Sequence, residues 1–465
     1  MNIAIFGTGY VGLVSGVSLA DSGKNVHCID IDEEKIAQIN DGIAPIYEPG
    51  LSELLVKNKA RVHPTTDAKS AILDSEVVFI AVGTPFDGEE IDLSYIKQAA
   101  TEIGEALKDK SPYDYTVVVV KSTVVPGTTE DVVKKIVLEV SGKTENEIGF
   151  CMNPEFLREG NAVNDFKNPD RIVLGVNSEK AEEIMRRVYD AFPETDIVIT
   201  NLTTAEMIKY TANSYLALTI SYANEIARIT ETLDNVDSED VFQGVMLDKR
   251  ISPINGGNRI VPKLTTYMRA GVGFGGSCFP KDVKALESFA RGRNVDGHLL
   301  NGLLEINASQ ILHTYRRGLN QHPGEVKKVA ILGTAFKPET DDIRESPGVK
   351  IANLALEDDL EVNVHDFIAL DNTRKKFRNS VQYFNDPMAA INDADVIYVT
   401  TIWPEYLNIS DQDFREHMKE DAIMVDCRSL YKKRKDQPWR IRVGLNTATD
   451  NSFKVEKQAV GYSVK

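Results

Sequence analysis

Residues 3–12 read Ile-Ala-Ile-Phe-Gly-Thr-Gly-Tyr-Val-Gly, a short apolar run that leads directly into a glycine-rich turn. Gly7, Gly9 and Gly12 have the Gly-x-Gly-x-x-Gly spacing, and a helical pattern follows over residues 13–22. In a strand–turn–helix unit, the first glycine makes the tight turn and the second lets a pyrophosphate approach the backbone. The third glycine lets helix and strand pack closely. The stretch therefore predicts a dinucleotide-binding α/β domain.

A second strand-like run, residues 26–30, ends at Asp30. An acidic residue at this position can accept hydrogen bonds from both ribose hydroxyls of adenosine, and it would repel a 2′-phosphate. Asp30 therefore favours NAD over NADP as the cofactor. The alternative interpretation of Asp30 is a helix N-cap. Cys28, on the same run, is expected to be a core residue.

Alternating strand and helix patterns organise most of the chain. Strand-like runs at 2–6, 26–30, 77–82, 116–120 and 171–176 predict a parallel doubly wound sheet. A long helical pattern without Gly or Pro covers 204–233. A third section restarts at 326–333 and continues with strand-like runs at 361–365, 395–400 and 422–426. It has one of the three fingerprint glycines, Gly333, so we expect it to bind a nucleotide with a different turn.

We therefore expect an α/β fold with two Rossmann-like doubly wound domains joined by a long central helix and a helical middle domain. The expected boundaries are 1–200 for the NAD-binding domain, 201–318 for the middle, dimerisation domain, 319–443 for the second nucleotide-binding domain and 444–465 for a loose polar tail. A long helix of this kind can also offer a face to a second copy of the chain.

Composition excludes several classes of protein. The chain has 465 residues, of which 42% are hydrophobic and 26% charged, as in ordinary soluble globular proteins. The formal net charge of -17 argues against general binding of nucleic acid or anionic membranes. The four cysteines lie far apart without a Cys-x-x-Cys pair, which argues against a zinc site or a disulfide framework and fits a reducing compartment. No apolar run is long enough to cross a bilayer, and we expect a cytoplasmic protein.

A candidate nucleophile lies in Gly275-Gly-Ser-Cys278-Phe-Pro-Lys281-Asp282. A cysteine is more often a buried small hydrophobe than a nucleophile, but here flanking glycines permit close backbone approach. A thiolate needs a nearby cation or hydrogen-bond donors, and Lys281 could serve, or could bind substrate. On the predicted long helix, Lys209 and Asn213 are spaced i, i+4, so an ammonium and an amide share one face.

The Lys209–Asn213 pair could stabilise the oxyanion of a tetrahedral intermediate. The alternative is a solvated lysine on an exposed helix face. The segment Met152-Asn-Pro-Glu155-Phe-Leu-Arg-Glu159-Gly supplies two carboxylates beside a turn fixed by proline, and a salt-bridged surface loop is the competing interpretation.

The glycine-rich turn and the cysteine together indicate more than one kind of chemistry. A bound dinucleotide implies hydride transfer, which by itself needs no thiol. A nucleophilic cysteine can hold an acyl group covalently. The combination suggests that an alcohol is oxidised through the aldehyde to a thioester, which is then hydrolysed to an acid.

Several motifs, in this order along residues 1–426, resemble the UDP-glucose/GDP-mannose dehydrogenase family. They are Gly7-Thr-Gly-Tyr-Val-Gly12, Tyr47-Glu-Pro-Gly-Leu51, Gly83-Thr-Pro85, Lys121-Ser-Thr-Val-Val-Pro-Gly127, Asn153-Pro-Glu-Phe-Leu-Arg-Glu-Gly160, Lys209-Tyr-x-x-Asn213, Gly275 to Asp282, and Phe336-Lys-Pro with Asp341-Asp-x-Arg-Glu-Ser-Pro347. Each motif is weak alone, but their order and co-occurrence are specific. The resemblance implies oxidation of UDP-glucose at C6 to UDP-glucuronate, with two NAD per sugar, in a homodimer.

The resemblance also assigns roles. Cys278 would be the nucleophile, Lys209 and Asn213 would polarise the oxyanion, Asp282 and Thr123 would hold a water, and Glu155 would assist thioester hydrolysis. The cofactor would contact Gly7, Gly9, Tyr10, Val11, Gly12, Asp30, Lys35, Thr84, Thr123, Glu159, Lys281 and Arg344. The substrate would contact Glu155, Phe156, Leu157, Lys209, Asn213, Gly275, Lys337, Arg428 and an arginine of the neighbouring subunit. No metal is expected.

That neighbouring-subunit arginine belongs to an Asp-x-Arg-Ile motif in relatives, which Asp248-Lys-Arg250-Ile matches here. Extra residues, including Asn255-Gly-Gly-Asn258, separate it from Tyr267-Met-Arg269, so Arg250, Arg259 and Arg269 all stay candidates. We expect this insertion to be a mobile surface loop, because Gly-Gly flanked by Asn favours turns.

Some motifs also resemble GDP-mannose dehydrogenases, but Phe279 favours the UDP-glucose branch over the mannose branch. The acetamido-sugar branch replaces the lysine of the cysteine motif. Two other functions are considered. A single-step hydroxyacid dehydrogenase would not need Cys278, and a non-catalytic nucleotide-sensing protein would not need the full set of polar residues.

Overall fold

The computed structural model describes residues 1–435, 437–446 and 462–463. The chain divides into two compact units, and each is treated by itself. The first unit comprises Met1–Ala212 and Ser288–Asn294, and the second comprises Asn213–Glu287 and Val295–Lys465. The division falls within one long helix, so that helix belongs to both units.

The first unit is built on an eight-stranded sheet. Its strands are β1 (Asn2–Phe6), β2 (Asn25–Ile29), β3 (Val62–Thr65), β4 (Val77–Ile80), β5 (Thr116–Val120), β6 (Ile148–Met152), β7 (Ile172–Val176) and β8 (Ile197–Thr200). They lie in the order β3-β2-β1-β4-β5-β6-β7-β8. Neighbouring strands run parallel except β6 and β7, which run antiparallel. The expected strands β1, β2, β4, β5 and β7 are confirmed, and β3, β6 and β8 were not predicted.

Helices cover both faces of this sheet, which is why its central strands are apolar throughout. The helices are α1 (Tyr10–Asp21), α2 (Glu33–Asn40), α3 (Leu51–Lys57), α4 (Ala68–Leu73), α5 (Ser94–Leu107), α6 (Lys135–Ser141), α7 (Ala162–Lys167), α8 (Glu179–Val188) and α9 (Leu202–Thr230). A π-helical turn, Thr129–Lys134, leads into α6. Every side chain of β5 is buried, as expected for a strand covered on both faces. Cys28 is buried in the core, as predicted.

The second unit carries a smaller sheet of six parallel strands. Its further elements are α10 (Ser238–Met246), β9 (Ile254–Asn255), β10 (Asn258–Ile260), α11 (Phe279–Gly292), α12 (His298–Gln321), β11 (Lys328–Leu332), α13 (Pro347–Glu357), β12 (Glu361–His365), α14 (Leu370–Phe377), β13 (Gln382–Phe384), α15 (Pro387–Ile391), β14 (Val396–Val399), α16 (Asp411–His417), β15 (Ile423–Asp426), β16 (Arg440–Arg442) and β17 (Tyr462–Ser463). The sheet order is β13-β12-β11-β14-β15-β16, a second doubly wound arrangement. The four strands predicted in this section are confirmed.

The insertion after the Asp-x-Arg-Ile motif is a β-hairpin. Strands β9 and β10 pair antiparallel, and Gly256 and Gly257 connect them with φ angles of 57° and 80°. Positive φ at both central residues is the requirement of a two-residue type I′ turn, and Asn-Gly-Gly-Asn supplies it. The turn predicted at Gly256 and Gly257 is confirmed and lies on the surface. The paired strands on either side of it were not expected, because the glycines that favour a turn can also close a hairpin, and the mobility of this segment stays a prediction.

The polar tail expected over 444–465 is only partly within the described residues. Gly444 is packed in place, since its carbonyl accepts hydrogen bonds from the Ser238 N–H at 3.0 Å and from the Thr230 hydroxyl at 2.9 Å. Strand β17 pairs in parallel with β10. Residues 447–461 and 464–465 lie outside the described residues. Among the residues that are described, no helix is both long and apolar enough to cross a membrane.

Candidate active site

The glycine-rich turn of the first unit depends on two glycines for packing and leaves one open. Gly7 has a φ of 93°, which favours glycine. A Cβ on Gly12 would lie 1.9 Å from the Gly7 carbonyl oxygen, so only glycine allows α1 to start this close to β1. A Cβ on Gly9 would meet no atom of the described residues within 4 Å. The absence of a side chain at Gly9 therefore keeps space free in front of the N-terminus of α1, where a pyrophosphate would bind.

Asp30 lies at the end of β2 and lines a cleft together with Gly7, Gly9 and Gly83. Its Oδ2 accepts hydrogen bonds from the Thr8 N–H at 2.8 Å and the Thr8 hydroxyl at 2.6 Å. Burial raises the pKa of the Asp30 carboxyl, but the two Thr8 donors outweigh burial and hold the pKa below its usual range. The carboxylate is therefore charged and fixed in position.

The alternative interpretation of Asp30 as a helix N-cap is wrong. The N-cap of α2 is Asp32, whose side chain accepts from the Glu34 and Lys35 N–H groups. Lys35 places its Nζ 4.0 Å from Asp30 Oδ2, beside the same cleft. A fixed carboxylate at the edge of this cleft, behind an open glycine turn, fits a dinucleotide.

Glu48 ties three parts of the first unit together. Its carboxylate accepts from the Tyr10 hydroxyl, from the Gly160 N–H at 2.7 Å and from the Ala162 N–H at 2.6 Å. Burial and then the Glu48 carboxylate raise the pKa of Tyr10, so its hydroxyl stays protonated. The structure therefore connects Tyr10, a predicted cofactor contact, to the loop that carries Glu159, which is buried.

Lys209 and Glu155 form a buried ion pair. Lys209 Nζ donates to Glu155 Oε1 at 2.9 Å and to the Glu155 carbonyl oxygen at 2.7 Å, and both side chains are buried. Glu155 Oε2 accepts from the Leu157 N–H at 2.6 Å, and Phe156 packs beneath Lys209. Burial raises the pKa of Glu155, but the Lys209 ammonium outweighs it and keeps the carboxyl charged. The alternative of an exposed lysine is wrong. The loop is salt-bridged, through Lys209–Glu155 and Arg158–Asp165, but the carboxylates of Glu155 and Glu159 are buried and do not lie on the surface.

Thr123 lies on the loop after β5. Hydrogen bonds from the loop that contains Thr84 and to Glu206 on α9 fix this loop in place. The Thr84 hydroxyl donates to the Thr123 carbonyl oxygen at 2.8 Å. On the other side, the carboxylate of Glu206 on α9 accepts from the Gly127 N–H at 2.5 Å, the Thr129 N–H at 2.7 Å and the Thr129 hydroxyl at 2.6 Å. Burial raises the pKa of Glu206 to about 7 despite these donors. Glu206 thus caps the π-helical turn from another helix.

In the second unit, the polar residues of the cysteine motif are connected. Asn213 Nδ2 donates to Asp282 Oδ2 at 2.6 Å, and Lys281 Nζ donates to Asp282 Oδ1 at 2.7 Å. Asp282 is buried and Cys278 is half-buried. Cys278 directly precedes α11, so the positive end of the helix favours its thiolate. The Ser277 hydroxyl oxygen lies 3.6 Å from Cys278 Sγ.

A pocket in the second unit is lined by Gly275, Phe336, Lys337 and Arg428, among others. Arg428 donates to the Gly273 carbonyl oxygen at 2.8 Å, which fixes its guanidinium against the loop before the cysteine. A Cβ on Gly275 would lie 2.2 Å from the Glu345 carbonyl oxygen, so the loop containing Lys337 and Arg344 packs directly on this glycine. Glycine here is required by packing within the second unit.

The three candidate arginines differ in their contacts. Arg259 donates to the carbonyl oxygens of Leu247 and Ser252, each at 2.8 Å, and so holds the hairpin. Arg250 is ion-paired with Asp248 at 2.6 Å and its side chain is 90% exposed. Arg269 is exposed too. Arg344, predicted to contact the cofactor, is ion-paired with Asp342 at 2.8 Å.

Four polar residues of the site were not given roles from the sequence. They are Thr8, Glu48, Lys121 and Glu206. Thr8, Glu48 and Lys121 lie inside motifs that were recognised, so their position in those motifs was a usable signal. Glu206 lies one turn before Lys209 on α9, and nothing local distinguishes it from a solvated glutamate.

Comparison with known proteins places these features in a family. The family models for the NAD binding domain, the central domain and the UDP binding domain of the UDP-glucose/GDP-mannose dehydrogenase family match residues 1–193, 203–309 and 330–433.

Individual relatives align with most of the chain. The UDP-glucose 6-dehydrogenase TuaD of Bacillus subtilis is 40% identical over 92% of this chain and 89% of its own length. The UDP-glucose 6-dehydrogenase AglM of Haloferax volcanii is 38% identical over 93% of this chain and 98% of its own length. The solved structure of a UDP-glucose dehydrogenase from Pyrobaculum islandicum superposes with a TM-score of 0.84 at 36% identity, covering 93% of this chain and 95% of that one.

Proposed function

The chain belongs to the UDP-glucose/GDP-mannose dehydrogenase family, and from this premise we propose that it oxidises UDP-glucose at C6 to UDP-glucuronate through an acyl group on Cys278. The observation that carries the two-step reaction is the arrangement of Cys278, Asp282 and Asn213 at the start of α11. A single hydride transfer has no use for a half-buried cysteine at a helix N-terminus.

NAD is the cofactor, and the first unit supplies residues that would hold it. Gly9 leaves space for the pyrophosphate, and Asp30 offers a charged carboxylate to the ribose hydroxyls. When bound, NAD accepts the hydride in each of the two oxidations. Tyr10, Val11, Lys35, Thr84, Glu159, Lys281 and Arg344 remain proposed contacts of the cofactor.

Cys278 is proposed to attack the C6 aldehyde, which gives a thiohemiacetal. Loss of a second hydride then yields a thioester, and water cleaves the carbon–sulfur bond to release the acid and the thiolate. The positive end of α11 stabilises the thiolate both as nucleophile and as leaving group. Asp282 accepts hydrogen bonds from Asn213 and Lys281, which fix its carboxylate beside Cys278. That Asp282 and Thr123 hold a water is part of the proposal.

Lys209 and Glu155 are proposed to act at the same carbon. The Lys209 ammonium is kept charged by its ion pair and can donate to an oxyanion. Glu155 stays ionised at neutral pH, so it can accept a proton from the water that hydrolyses the thioester. The amide of Asn213 lies one turn further along α9.

UDP-glucose is the proposed substrate because relatives that align over most of the chain are named UDP-glucose 6-dehydrogenases. In the second unit, Lys337 and Arg428 line a pocket with Gly275, and both carry charge suited to a diphosphate. Phe156 and Leu157 are proposed to line the sugar site. GDP-mannose and other nucleotide sugars are the alternative substrates of the same chemistry.

A homodimer is proposed as the working form. Tyr215, Tyr222 and Ile229 are spaced by seven residues on α9, and each is at least half exposed. An apolar stripe of this kind on a long helix is typical of helix–helix association, and we propose that a second copy covers it. The exposed Arg250 could then reach the sugar site of the partner. The four free cysteines support a cytoplasmic location.

The test is the yield of NADH for each UDP-glucose consumed, measured with the purified enzyme. Two NADH and one UDP-glucuronate are expected, whereas one NADH would show a single-step dehydrogenase and none would show a binding protein. Parallel assays with GDP-mannose separate the substrate alternatives. Turnover of GDP-mannose in preference to UDP-glucose would contradict the proposed substrate.

Variants test the covalent step. Cys278→Ser should bind both ligands but lose acid formation by orders of magnitude, because a serine hydroxyl is a far poorer nucleophile than a thiolate. Glu155→Gln incubated with both substrates should accumulate a sugar-nucleotide adduct on Cys278, seen by mass spectrometry. Cys28→Ala is the matched control, because burial raises the pKa of Cys28 to about 12 and keeps it unreactive. Wild-type turnover in Cys278→Ser, with no adduct in Glu155→Gln, would remove the covalent mechanism.

A further inference from the structure

Lys121 is a buried ammonium that forms no ion pair with an acidic residue among those the structure describes. It follows β5 directly, and only 4% of its surface is exposed. Its Nζ donates to Asn153 Oδ1 at 3.0 Å and to the Tyr189 hydroxyl oxygen at 3.5 Å, both neutral groups. Within the described part of the chain, no carboxylate lies within 4.0 Å of this nitrogen. A buried charge without an ion pair is costly, so the neutral amine becomes accessible.

The amine faces a cavity that it shares with Glu155. Lys121, Asn153, Glu155 and Tyr189 all line this cavity, and its rim includes the exposed residue Asp170. Lys121 has three N–H or lone-pair directions, of which two are used by Asn153 and Tyr189. The cavity is therefore where the third direction can reach water, and it extends from the catalytic carboxylate to the surface of the first unit.

The two groups differ in basicity in a way that would move protons outward. The Lys209 ammonium keeps the pKa of Glu155 below its usual range, so Glu155 alone is a weak base. Burial lowers the pKa of Lys121 to about 8, and the Glu155 carboxylate limits that fall. The other titratable groups that face Lys121 are Cys151, Lys209 and Tyr189. A proton on Glu155 would therefore move downhill to the neutral amine of Lys121.

We propose that Lys121 acts through Glu155 as a proton-relay residue, carrying protons from Glu155 through this cavity to solvent during thioester hydrolysis. The inference rests on the proposed function, since it presumes that Glu155 takes a proton from the attacking water. In the balanced step, water adds to the thioester carbon, its proton passes to Glu155 and then to the lone pair of Lys121. The carbon–sulfur bond breaks, the thiolate of Cys278 leaves, and the new ammonium returns its proton to water in the cavity.

The first test compares three variants at residue 121 and a matched control. Lys121→Ala removes the relay and opens space, and Lys121→Arg keeps a cation of similar length that does not lose its proton. Both should lower kcat at pH 7 by about 100-fold, the size of a general acid–base contribution, and both should accumulate the acyl group on Cys278. Lys121→Met, which fills the same volume, guards against loss of folding in Lys121→Ala. Lys110→Ala is the control, because burial also lowers the pKa of Lys110, which donates to the Ile72 carbonyl oxygen at 3.3 Å instead.

The second test is rescue of Lys121→Ala by small primary amines added to the assay. If Lys121 relays protons, the rescued rate should depend on the pKa of the amine, which a structural role for Lys121 would not produce. Wild-type kcat in Lys121→Arg, or equal rescue by all amines, would overturn the relay. The wild-type enzyme is assayed alongside for two NADH for each UDP-glucose. Failure of that yield rejects the proposed function, whereas a normal yield with unaffected variants rejects only the relay.

Discussion

The two doubly wound sheets of this chain each use a pair of glycines to pack a helix against the first strand, but they differ in what lies between those glycines. In the first unit, Gly7 has a φ of 93° and Gly12 would place a Cβ 1.9 Å from the Gly7 carbonyl oxygen. In the second unit, Gly333 has a φ of 104° and Gly348 would place a Cβ 2.2 Å from the Gly333 carbonyl oxygen. The sequence of the second sheet keeps one fingerprint glycine, Gly333, as expected, and Gly348, which lies outside the motif spacing, makes the packing contact that Gly12 makes in the first unit.

What differs is the middle of the turn. In the first unit the open position Gly9 lies between the two packing glycines, whereas in the second unit the whole loop 334–346 lies between them. That loop contains Lys337, which lines the pocket beside Gly275. The packing requirement of strand and helix is thus kept, and the part of the turn that would face a pyrophosphate has been replaced by a loop with a lysine.

The acidic residues at the ends of the second strands differ as well. Asp30 lines a cleft and accepts hydrogen bonds from Thr8, whereas Asp366 is buried, with 3% of its surface exposed. The oxygens of Asp366 accept from five donors, the N–H groups of Thr334, Ala335, Ile368 and Ala369 and the indole of Trp403. A saturated carboxylate has no lone pair left for a ribose. The comparison teaches that partners of the acidic residue, more than its presence, decide whether the turn can bind a dinucleotide.

The largest effect is expected at the packing glycines. Gly12→Ala and Gly348→Ala each force a Cβ into a backbone oxygen that cannot move without displacing α1 or α13, so each should cost about 4 kcal/mol of unfolding free energy. Denaturant unfolding, with and without NAD or UDP, measures this cost for each unit. Gly9→Ala is the control and should fold normally, since its Cβ meets nothing within 4 Å, but should lose stabilisation by NAD. Normal NAD binding by Gly9→Ala would show that the open space at Gly9 is not what suits the turn of the first unit to a dinucleotide.

The next largest effect is expected for Asp366→Asn, which should lower the free energy of unfolding. An asparagine has one acceptor oxygen and a donor amide, so at least two buried N–H groups lose their partner, at a cost of about 3 kcal/mol. Asp30→Asn loses fewer bonds next to solvent, and about 1 kcal/mol is expected. Thermal unfolding of both variants measures the difference. Equal costs would show that Asp366 is no more saturated than Asp30.

The elements of the fold that could be predicted from the sequence are those whose signals lie close together in the chain. The apolar runs and Gly7, Gly9 and Gly12 are close in sequence, so strand, turn and helix could be predicted together. Gly348 could not be, because loop 334–346 breaks the spacing that identifies the motif. The hairpin at Gly256 and Gly257 was missed because a turn signal does not show whether its flanks pair.

Candidate site residues follow the same rule. Lys209, Asn213, Cys278 and Asp282 were identified from short motifs. The hydrogen bonds of Lys209 to Glu155 and of Asn213 to Asp282 support polar roles for these residues. Glu206 could not be identified, because its partner Thr129 is 77 residues away along the chain. The pairing exists only once α9 packs beside the loop after β5.

The next prediction concerns the pH dependence of stability. In each unit a buried carboxylate holds the loop that follows the corresponding strand, β5 in the first unit and β15 in the second. In the second unit Asp426, the last residue of β15, accepts from the Leu430 and Tyr431 N–H groups. In the first unit Glu206 on α9 accepts from the Gly127 and Thr129 N–H groups of the loop after β5. Burial raises the pKa of both carboxyls, that of Glu206 from 4.5 to about 7. Between pH 4.5 and about pH 7 the folded protein keeps a proton on Glu206 that the unfolded chain releases. The free energy of unfolding therefore falls as the pH rises through this range.

The glutamine of Glu206→Gln does not titrate. The unfolding free energy of the variant minus that of the wild type should therefore increase by up to about 3 kcal/mol between pH 4.5 and pH 7. Urea unfolding of both proteins across this range measures the change. A constant difference would mean that Glu206 is already charged in the folded protein at low pH and that the three donors outweigh burial.

The smallest effect concerns cofactor choice, and it tests whether the carboxylate of Asp30, which lines the cleft of the first unit, makes the protein prefer NAD to NADP. Asp30→Asn removes the charge that would repel a 2′-phosphate, while Lys35, 4.0 Å from Asp30 Oδ2, remains to attract it. The ratio of kcat/KM for NAD to that for NADP should fall by about tenfold, or about 1.4 kcal/mol. Asp67→Asn is the matched control: it weakens the N-cap of α4 in the same unit but should leave the ratio unchanged, because Asp67 accepts from the Ser70 N–H and is not among the residues that line the cleft. If the wild type used both cofactors equally, or if Asp67→Asn changed the ratio as much as Asp30→Asn, the Asp30 carboxylate would not be what distinguishes the two turns.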